Sequence, residues 1–272
     1  MADHRDRWRV HPGKRIDIAQ ADPASTAEAP GNKTATLAAA ASLLEELAEM
    51  QNRLWAEHQR SLLLVLQAID AGGKDGTIRK VFTGVNPQGV RVASFKAPTL
   101  EELAHDFLWR IHAQAPSRGE IGVFNRSHYE DVLITRVDKL VPEPVWRARY
   151  GTIRDFEAHL GASGTTIVKV FLHISKDEQK ERFQARLDDP SKRWKFAAAD
   201  LDVRKKWDAY QRAFSDAINE TTTKAAPWYV VPADKKWYRD WVVLHLLVET
   251  LREMAPDYPP EPPGLSGIVI DS

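Results

Sequence analysis

A glycine-containing turn with a single lysine, AGGKDG at residues 71–76, follows the continuous apolar run LLLVLQAI. A buried strand that turns through such a segment into a helix places free backbone N–H groups and a helix N-terminus at one point, which favours phosphate. Lys74 adds a positive charge there. The turn therefore predicts phosphate binding, although an ordinary strand-to-helix turn with a solvated lysine fits the same residues. The residues predicted to bind phosphate here are Ala71, Gly72, Gly73, Lys74, Asp75, Gly76, Thr77 and Lys80.

The acidic residue before this turn, Asp70, is unusual for a phosphate loop. The standard pattern is G-x-x-x-x-G-K-[ST], and here Ala68 and Asp75 replace its first glycine and its final hydroxyl residue. That hydroxyl normally binds magnesium. A carboxylate inside the loop offers an oxygen of the kind that magnesium prefers. We therefore expect Asp70 to be a metal ligand, with Mg²⁺ as the cofactor and Mn²⁺ as a substitute.

A second polar segment, Asn125-Arg126-Ser127, ends the apolar run EIGVFN. Ligands of open α/β folds bind at the carboxyl ends of the strands. Arg126 is therefore predicted to fork onto phosphate oxygens, and Ser127 beside it is also predicted to bind phosphate. In phosphate-loop enzymes this strand usually ends in a magnesium-binding acid. Asn125 is neutral, and Glu130, followed by Asp131, is a candidate replacement. The other candidate metal ligands are thus Asn125 and Glu130, although acids at a helix start are also favoured by the helix dipole alone.

A basic segment at about 182–207 contains KRWKF at residues 192–196. Helices that carry so many cations can close over a polyanion, as kinase lids do. Charge runs are more often solvated helix faces, and four aspartates dilute this one. KRWKF, with Trp194 and Phe196 between cations, is the specialised part. It predicts a lid in which Lys195 binds phosphate.

Apolar runs and helical periodicity alternate along the chain. The predicted strands are 62–69, 90–95, 120–125, 166–174 and 227–233. The predicted helices are 36–61, 77–82, 99–114, most of 126–160, 175–189, 200–220 and 241–254. This alternation predicts an α/β fold, a parallel five-stranded sheet with helices on both faces. The predicted divisions are an N-terminal arm at 1–35, a catalytic domain at 36–254 and a Pro-rich tail at 255–272.

Composition narrows the class of protein further. The chain of 272 residues has 38 basic and 38 acidic residues, so no global attraction to polyanions is expected and nucleic acid is not a predicted partner. Cysteine is absent, which excludes disulfides and thiolate metal sites and fits a reducing cytoplasm. No apolar run approaches the roughly 18 residues of a membrane helix, so no membrane partner is expected.

Five segments, taken together and in order, resemble the polyphosphate kinase 2 family: AIDAGGKDGTIRKVF, SFKAPTLEELAHDFLWR, FNRSHYEDVLITRV, KRWKF and TTTKAAPWYVVPADKKWYRDW. The likeness extends from about Arg9 to Met254 and is far more specific than a lone phosphate loop. It implies a three-layer phosphate-loop kinase fold with a helical lid. It also implies magnesium-dependent phosphoryl transfer between inorganic polyphosphate and nucleotides.

The resemblance further implies roles for single residues. Asp70 would be the metal-associated acid of the loop, and Arg193 would be the lid arginine. Asn125 followed by Glu130 resembles the subgroup, often called class III, that accepts both AMP and ADP. A homotetramer is implied as well. The residues predicted to be catalytic are Asp70, Lys74, Arg126 and Arg193.

The predicted function is a polyphosphate-dependent kinase that phosphorylates AMP and ADP. An ATP-dependent nucleotide monophosphate kinase of the same fold is one alternative, disfavoured by the missing Ser/Thr after Lys74 and by the acid within the loop. A non-catalytic phosphate-binding protein is another, disfavoured by the retained lysine and acids. A phosphate acceptor is already ionised at neutral pH, so no general base is required. His112 and His128 are predicted to be structural or to position the acceptor.

Overall fold

The computed structural model describes residues 4–264 together with 268 and 270. Six strands lie within these residues: β1 (Arg9–Val10), β2 (Ser61–Gln67), β3 (Val90–Ser94), β4 (Ile121–Asn125), β5 (Thr165–His173) and β6 (Trp228–Pro232). They form one sheet with the spatial order β1, β6, β5, β2, β4, β3. Strands β2 to β6 are parallel, and β1 pairs with β6 in the antiparallel direction.

The helices form two groups around this sheet. Their bounds are α1 (Lys33–Glu57), α2 (Lys74–Val81), α3 (Leu100–Leu103), α4 (Trp109–His112), α5 (Glu130–Val137), α6 (Glu143–Ala162), α7 (Lys176–Asp188), α8 (Ala199–Lys205), α9 (Trp207–Thr221) and α10 (Lys236–Met254). α1, α2 and α10 pack together, and α10 also packs on β5 and β6. α5, α6 and α9 pack together, and α6 packs on β5. The predicted α/β fold is confirmed.

The central strand β2 determines where the site lies. All seven of its residues are buried, because a strand covered on both faces needs an unbroken apolar run rather than alternation. β2 lies between β4 and β5, and Leu66 is in register with both Asn125 of β4 and Val170 of β5. The loop after β2 and the turn after β4 therefore leave the sheet side by side.

The predicted count of five strands is wrong by one. All five predicted strands are present and parallel, and the sixth, β1, comes from the predicted N-terminal arm. Arg9 and Val10 pair with Tyr229 and Trp228. Two residues cannot show an alternating pattern in sequence, so only the tertiary pairing defines this edge strand.

The predicted single helix at 99–114 is also wrong. The structure has two one-turn helices, α3 and α4, with an irregular link between them. Within that link Asp106 Oδ1 accepts a hydrogen bond from the backbone N–H of Leu108 at 2.9 Å. Short polar side chains that bond nearby backbone groups compete with helix formation. The helical periodicity of the segment did not reveal this local competition.

Other helices differ in their ends. α2 begins at Lys74 rather than at 77, and α10 begins at Lys236 rather than at 241. The predicted helix at 200–220 is interrupted at Lys206, which separates α8 from α9. α1 begins after Asn32, whose side chain accepts from Ala35 N–H as an N-cap.

The N-terminal arm is held to the body by buried contacts. Trp8, Val10 and Ile18 are buried, and Trp8 Nε1 donates to Tyr238 Oη at 3.1 Å. The division into arm, catalytic domain and tail stays a prediction. No helix among the described residues is both long enough and apolar enough to cross a membrane.

Candidate active site

The predicted phosphate loop, residues 68–76, connects β2 to α2 at the carboxyl edge of the sheet. Its backbone takes positive φ at Ala71 (62°) and Gly73 (101°). A Cβ on Gly72 would lie 2.4 Å from Ala68 Cβ, so a side chain is excluded there. α2 begins at Lys74 without a side-chain cap, which leaves the first N–H groups of the helix to an anion.

Lys74 lies inside this loop rather than on its surface. Only 9% of the residue is exposed, and its Nζ donates to the carbonyl of Ala68 at 3.1 Å. Burial, reinforced by the charge of Arg126 and opposed by Asp70, lowers the pKa of Lys74 to about 8. An ammonium group in this position lacks a full set of partners, and a bound phosphate would supply them.

Asp70, Arg126 and Glu130 form one charged cluster across the ends of β2 and β4. Arg126 Nη2 contacts Asp70 Oδ1 at 2.6 Å, and its Nη1 is 3.5 Å from Glu130 Oε2. Burial acts to lower the pKa of Arg126, but Glu130 and Asp70 overcome it and the pKa is raised. A cavity of about 50 Å³ lies beside the cluster, with Tyr210 and Phe214 of α9 in its wall.

The oxygen atoms of this cluster suit a hard divalent cation. The carboxylates of Asp70 and Glu130 both contact the guanidinium of Arg126, so their oxygen atoms lie close to one another. No group of three or more His, Cys, Asp or Glu residues gathers as a metal site among the described residues. Magnesium commonly uses one or two carboxylates together with water and substrate phosphates. The donor set of Asp70 and Glu130 fits that mode of binding.

Gln67 hydrogen-bonds one member of the cluster, Glu130, and the adjacent Ser127. In the amide orientation that satisfies both, Gln67 donates to Glu130 Oε1 and accepts from Ser127 Oγ, each at 3.1 Å. Ser127 is fully buried, and its Oγ also accepts from Tyr129 N–H at 3.2 Å. The structure thus places the Ser127 hydroxyl under the cluster, with partners inside the protein.

Asn125 and Lys195 meet the phosphate loop through Asp75. Asn125 Nδ2 donates to Asp75 Oδ1 at 2.7 Å, so a metal would have to use the amide oxygen of Asn125. Lys195 Nζ is 3.9 Å from Asp75 Oδ2. This pair links the loop to residues 189–206, which we call the lid segment.

The other predicted cations are exposed. Arg193 is exposed, and its Nε donates to Leu187 O at 2.8 Å, away from the loop. Trp194 is 78% exposed. Lys80 is exposed on α2 near Asp240. In this arrangement the structure brings Asp70, Lys74, Asp75, Asn125, Arg126, Glu130 and Lys195 together and leaves Arg193 and Lys80 outside the group.

Two residues of α7 hold the loop from behind and were not recognised from sequence. Gln179 Nε2 donates to Asp70 O at 2.8 Å, and Arg182 Nη1 donates to Ala71 O at 3.0 Å. Arg182 Nη2 also donates to Ala233 O at 2.5 Å, and its Nε donates to Glu178. The sequence pattern counted Arg182 among the lid cations, whereas the structure buries it as a brace for the loop.

Arg239 of α10 is the second arginine behind the loop. It is buried and pairs with Asp240 through Nε and Nη2, at 2.9 and 2.6 Å. A Cβ on Gly73 would lie 2.1 Å from Arg239 Nη1. The signal for this residue was an arginine in the first turn of the helix that follows a parallel strand, in the segment DKKWYRDW.

A buried ion pair supports the turn after β4. Lys169 Nζ on β5 contacts Glu157 Oε2 at 2.6 Å, and Tyr129 Oη donates to Glu157 Oε1 at 2.7 Å. His128 Nε2 lies 3.3 Å from the same Oε1. Burial lowers the pKa of Lys169. Burial acts to raise the pKa of Glu157, but Lys169 and His128 together outweigh it, so the pKa of Glu157 is lowered. The residues directly after Arg126 are thus anchored in the core.

Comparisons with known proteins agree with this geometry. The family model described as polyphosphate kinase 2 matches residues 31–259. The chain is 56% identical over 265 residues to the AMP/ADP-polyphosphate phosphotransferase of Meiothermus ruber, which covers 97% of this chain and 99% of that protein. It is 49% identical to the ADP-polyphosphate phosphotransferase of Rhodopseudomonas palustris over 81% of each chain.

A solved structure shows the same fold. The crystal structure of polyphosphate kinase 2 from Arthrobacter aurescens TC1 superposes with a TM-score of 0.91 at 48% sequence identity. The match covers 94% of this chain and 91% of that one. The arrangement of strands, loop and helices described above is therefore shared over nearly the full length of both chains.

Proposed function

The chain belongs to the polyphosphate kinase 2 family, and we propose that it transfers phosphoryl groups from inorganic polyphosphate to AMP and to ADP. The choice of both acceptors is supported by the likeness to the Meiothermus ruber protein, whose name includes AMP and ADP. Asn125 followed by Glu130, which resembles the class III subgroup, supports it as well.

The observation that carries this proposal is the meeting of two cations and two acids at one edge of the sheet. Lys74 lies within the phosphate loop, and Arg126 lies at the end of the neighbouring strand between Asp70 and Glu130. Phosphoryl transfer requires little covalent help from the protein. It requires an in-line arrangement and neutralisation of the charge on the transferring group.

The residues divide this work as follows. The N–H groups of the loop and Lys74 bind oxygen atoms of the donor phosphate. Arg126 binds phosphate oxygens opposite the loop with a planar, forked set of donors. Gln179 and Arg182 keep the loop in its binding conformation by bonding its carbonyls. No side chain has to remove a proton, because the terminal phosphate of AMP or ADP is already ionised.

We further propose that the cofactor is Mg²⁺, with Mn²⁺ able to replace it, held by Asp70, Glu130 and the amide oxygen of Asn125. When bound, such an ion neutralises charge on phosphate oxygens. Without it, Arg126 neutralises the same two carboxylates. Arg126 can therefore turn towards phosphate when the carboxylates gain another cationic partner.

The lid segment supplies the remaining predicted contacts. Arg193 and Lys195 are proposed to approach the phosphates when this segment closes on bound substrates. Lys195 is already next to the loop through Asp75. Arg193 has to exchange its bond to Leu187 O for one to phosphate.

A direct assay tests the proposed function. The protein is incubated with AMP or ADP, magnesium and long-chain polyphosphate in the absence of ATP, and the nucleotides are separated by chromatography. We expect ADP and ATP from AMP, and ATP from ADP. A preparation that phosphorylates AMP only when ATP is supplied would identify an ATP-dependent kinase instead. A preparation that binds polyphosphate but forms no new nucleotide would identify a phosphate-binding protein.

Assembly and location are proposed from the family resemblance. We expect a homotetramer in the cytoplasm. The sheet edge at β3 offers a surface for assembly, since Val92 is half exposed and Leu100 and Leu103 that follow are exposed. Light scattering on the purified protein tests the predicted number of copies.

A further inference from the structure

We propose that Lys169, Glu157 and Tyr129 are positioning residues for Arg126. They form a buried polar network under the turn that follows β4, and this network fixes the direction in which Arg126 leaves the sheet. The inference rests on the proposed function and deepens it, because it concerns the arginine that we expect to bind phosphate. The three residues act on the substrate only through Arg126.

The first argument is the backbone of Arg126. Its φ is 63°, in the left-handed region, which is unfavourable for a residue that carries a Cβ. Such a conformation persists only where the surrounding structure imposes it. At this position the chain leaves β4, and the guanidinium reaches Asp70 Oδ1 at 2.6 Å. The direction of Arg126 therefore depends on what holds the chain before and after it.

The second argument is that the chain is held on both sides of Arg126. On the side of the sheet, the backbone N–H of Arg126 donates to Leu66 O of β2 at 3.1 Å. On the other side, the next three residues, 127–129, are each at most 1% exposed. All three carry polar side-chain atoms, and buried polar atoms need partners inside the protein. The turn is therefore fixed by whatever those side chains bond.

Tyr129 is the main link between this turn and the network. Its hydroxyl donates to Glu157 Oε1 at 2.7 Å and accepts from Lys169 Nζ at 3.1 Å. Lys169 Nζ also donates to Glu157 Oε2 at 2.6 Å and to Thr221 O at 2.8 Å, which uses all three of its N–H groups. His128 adds a second contact from the turn, 3.3 Å from Nε2 to Glu157 Oε1. The network thus joins the turn to α6, β5 and α9.

The third argument is that a buried ion pair is a poor means of gaining stability. The side chains of Lys169 and Glu157 are 0% and 3% exposed, so both charges are removed from water. Desolvation offsets much of their attraction, and well-packed apolar side chains of similar volume often stabilise a fold equally well. A fully bonded buried network does provide a rigid and unique arrangement. Rigidity is what an arginine needs in order to meet a phosphate in line.

The two ends of Arg126 are held in different ways. Its guanidinium is held by Asp70 and Glu130, and these contacts would be exchanged when a phosphate binds. Its backbone is held through the turn by the buried network, which a substrate does not reach. The network is therefore the part of the support that would stay unchanged while Arg126 binds the transferring group.

A double-mutant cycle with Arg126 is the decisive test. Tyr129→Phe removes only the hydroxyl that joins the turn to the ion pair, and Arg126→Met removes the charge that the network directs. We expect Tyr129→Phe alone to lower kcat by about tenfold, since misplacement by a distant substitution can cost as much as about 10²-fold. In the Arg126→Met background it should lower kcat by less than about twofold, because the residue through which it acts is already lost.

Tyr150→Phe is the matched control. Tyr150 is a tyrosine of α6 that is 4% exposed, and its hydroxyl accepts from Arg136 Nη1 at 3.4 Å. This substitution also removes one buried hydroxyl, but away from the turn. It should change kcat by less than about twofold in either background. Thermal unfolding of all variants shows whether any loss of activity follows a loss of stability.

A second variant, Lys169→Met/Glu157→Gln, removes the ion pair without leaving an unpaired buried charge. We expect its unfolding temperature to stay within about five degrees of that of the unaltered protein. Its kcat should fall by about tenfold or more, and again only when Arg126 is present. If this variant does not fold, the cycle of Tyr129 with Arg126 decides alone.

Equal losses of kcat from Tyr129→Phe in both backgrounds would overturn the positioning role, because they would show a general effect on the fold. Unchanged kcat in Tyr129→Phe would overturn it as well. Failure of the proposed function is distinguishable, since the unaltered protein would then form no nucleotide from polyphosphate. The same cycle would in that case be measured with ATP as the donor or, if nothing is transferred, with the Kd for polyphosphate from calorimetry.

Discussion

The floor of the site, residues 70–77 and 125–130, and the lid segment both present lysine and arginine to the same edge of the sheet, yet they hold these charges differently. In the floor, Lys74 is buried and Arg126 is fixed between two carboxylates. In the lid segment, Arg193 is exposed and its Nε donates to the nearby carbonyl of Leu187, and Trp194 is 78% exposed. The cations of the floor are thus held in place by burial and by pairing, whereas Arg193 of the lid segment lies at the surface.

This difference has an energetic meaning. A buried lysine with a lowered pKa destabilises the free protein, and a phosphate bound beside it would recover that free energy. Exposed cations in the lid segment change the stability of the free protein little. Their interaction with an anion stays weak until both groups are desolvated. We therefore expect changes in the floor to act on turnover by large factors, and changes in the lid segment to act weakly and without effect on stability.

The largest effect is expected for Lys74→Met, which keeps the volume of the side chain and removes its charge. Turnover should fall by roughly 10²–10³-fold, the usual loss for a preorganised electrostatic group. The unfolding temperature of the ligand-free protein should not fall, because the variant removes a buried charge. Lys224→Met, at an exposed position, serves as the control. A variant that loses both activity and stability would show that Lys74 is mainly structural.

A smaller loss, about 10- to 100-fold, is expected for Asp70→Asn. The amide keeps the shape and one oxygen but loses the negative charge that pairs with Arg126 and that the proposed metal would need. Raised magnesium or manganese should restore part of the activity by mass action. Asp189→Asn in the lid segment is the control and should not respond to metal. Near-normal activity of Asp70→Asn with unchanged metal dependence would argue against a metal role.

The affinity for polyphosphate should depend on pH through Lys74. Because burial lowers the pKa of Lys74 in the free protein to about 8, the binding form is lost as pH rises above 8. The Kd should then increase by up to about tenfold per pH unit, until the higher pKa of the bound state is reached. Calorimetry between pH 7 and 9.5 measures this. Lys74→Met should bind weakly at every pH and should lack this step.

The smallest effect is expected in the lid segment. Arg193→Ala should reduce turnover by about three- to tenfold, since an exposed charge contributes only after closure. Its unfolding temperature should match that of the unaltered protein within about one degree, because the side chain is exposed and, among residues 4–264, its one hydrogen bond is to Leu187 O. A fall in stability similar to that of a core substitution would contradict the proposed contrast between floor and lid segment.

The floor was predictable because its determinants are local. An unbroken apolar run defines β2, and the glycines and lysine that follow it define the loop, so Asp70 and Lys74 could be singled out from neighbours in sequence. Arg126 could be added because the carboxyl ends of parallel strands share one edge. The resemblance to one family indicated that these separate segments form a single site.

The two buried arginines behind the loop were not predictable in the same way. Arg182 and Arg239 lie more than a hundred residues after the loop in sequence, and their types alone could not tell a solvated cation from a buried one. The break in the predicted helix at 99–114 was missed for a different reason. At Asp106 a single side chain-to-backbone hydrogen bond outweighs helical periodicity, and periodicity does not record such local competition.

The short edge strand β1 has a practical consequence for anyone who trims this protein. The family match begins at residue 31, so a piece cut there would lose most of the N-terminal arm, including β1. Yet Trp8 and Ala27 both hydrogen-bond Tyr238, and Pro23 O accepts from Asp234 N–H. Those two anchor points flank Lys235 and Lys236 and adjoin Arg239. A truncated protein would keep every residue of its recognised domain and still hold the start of α10 less firmly.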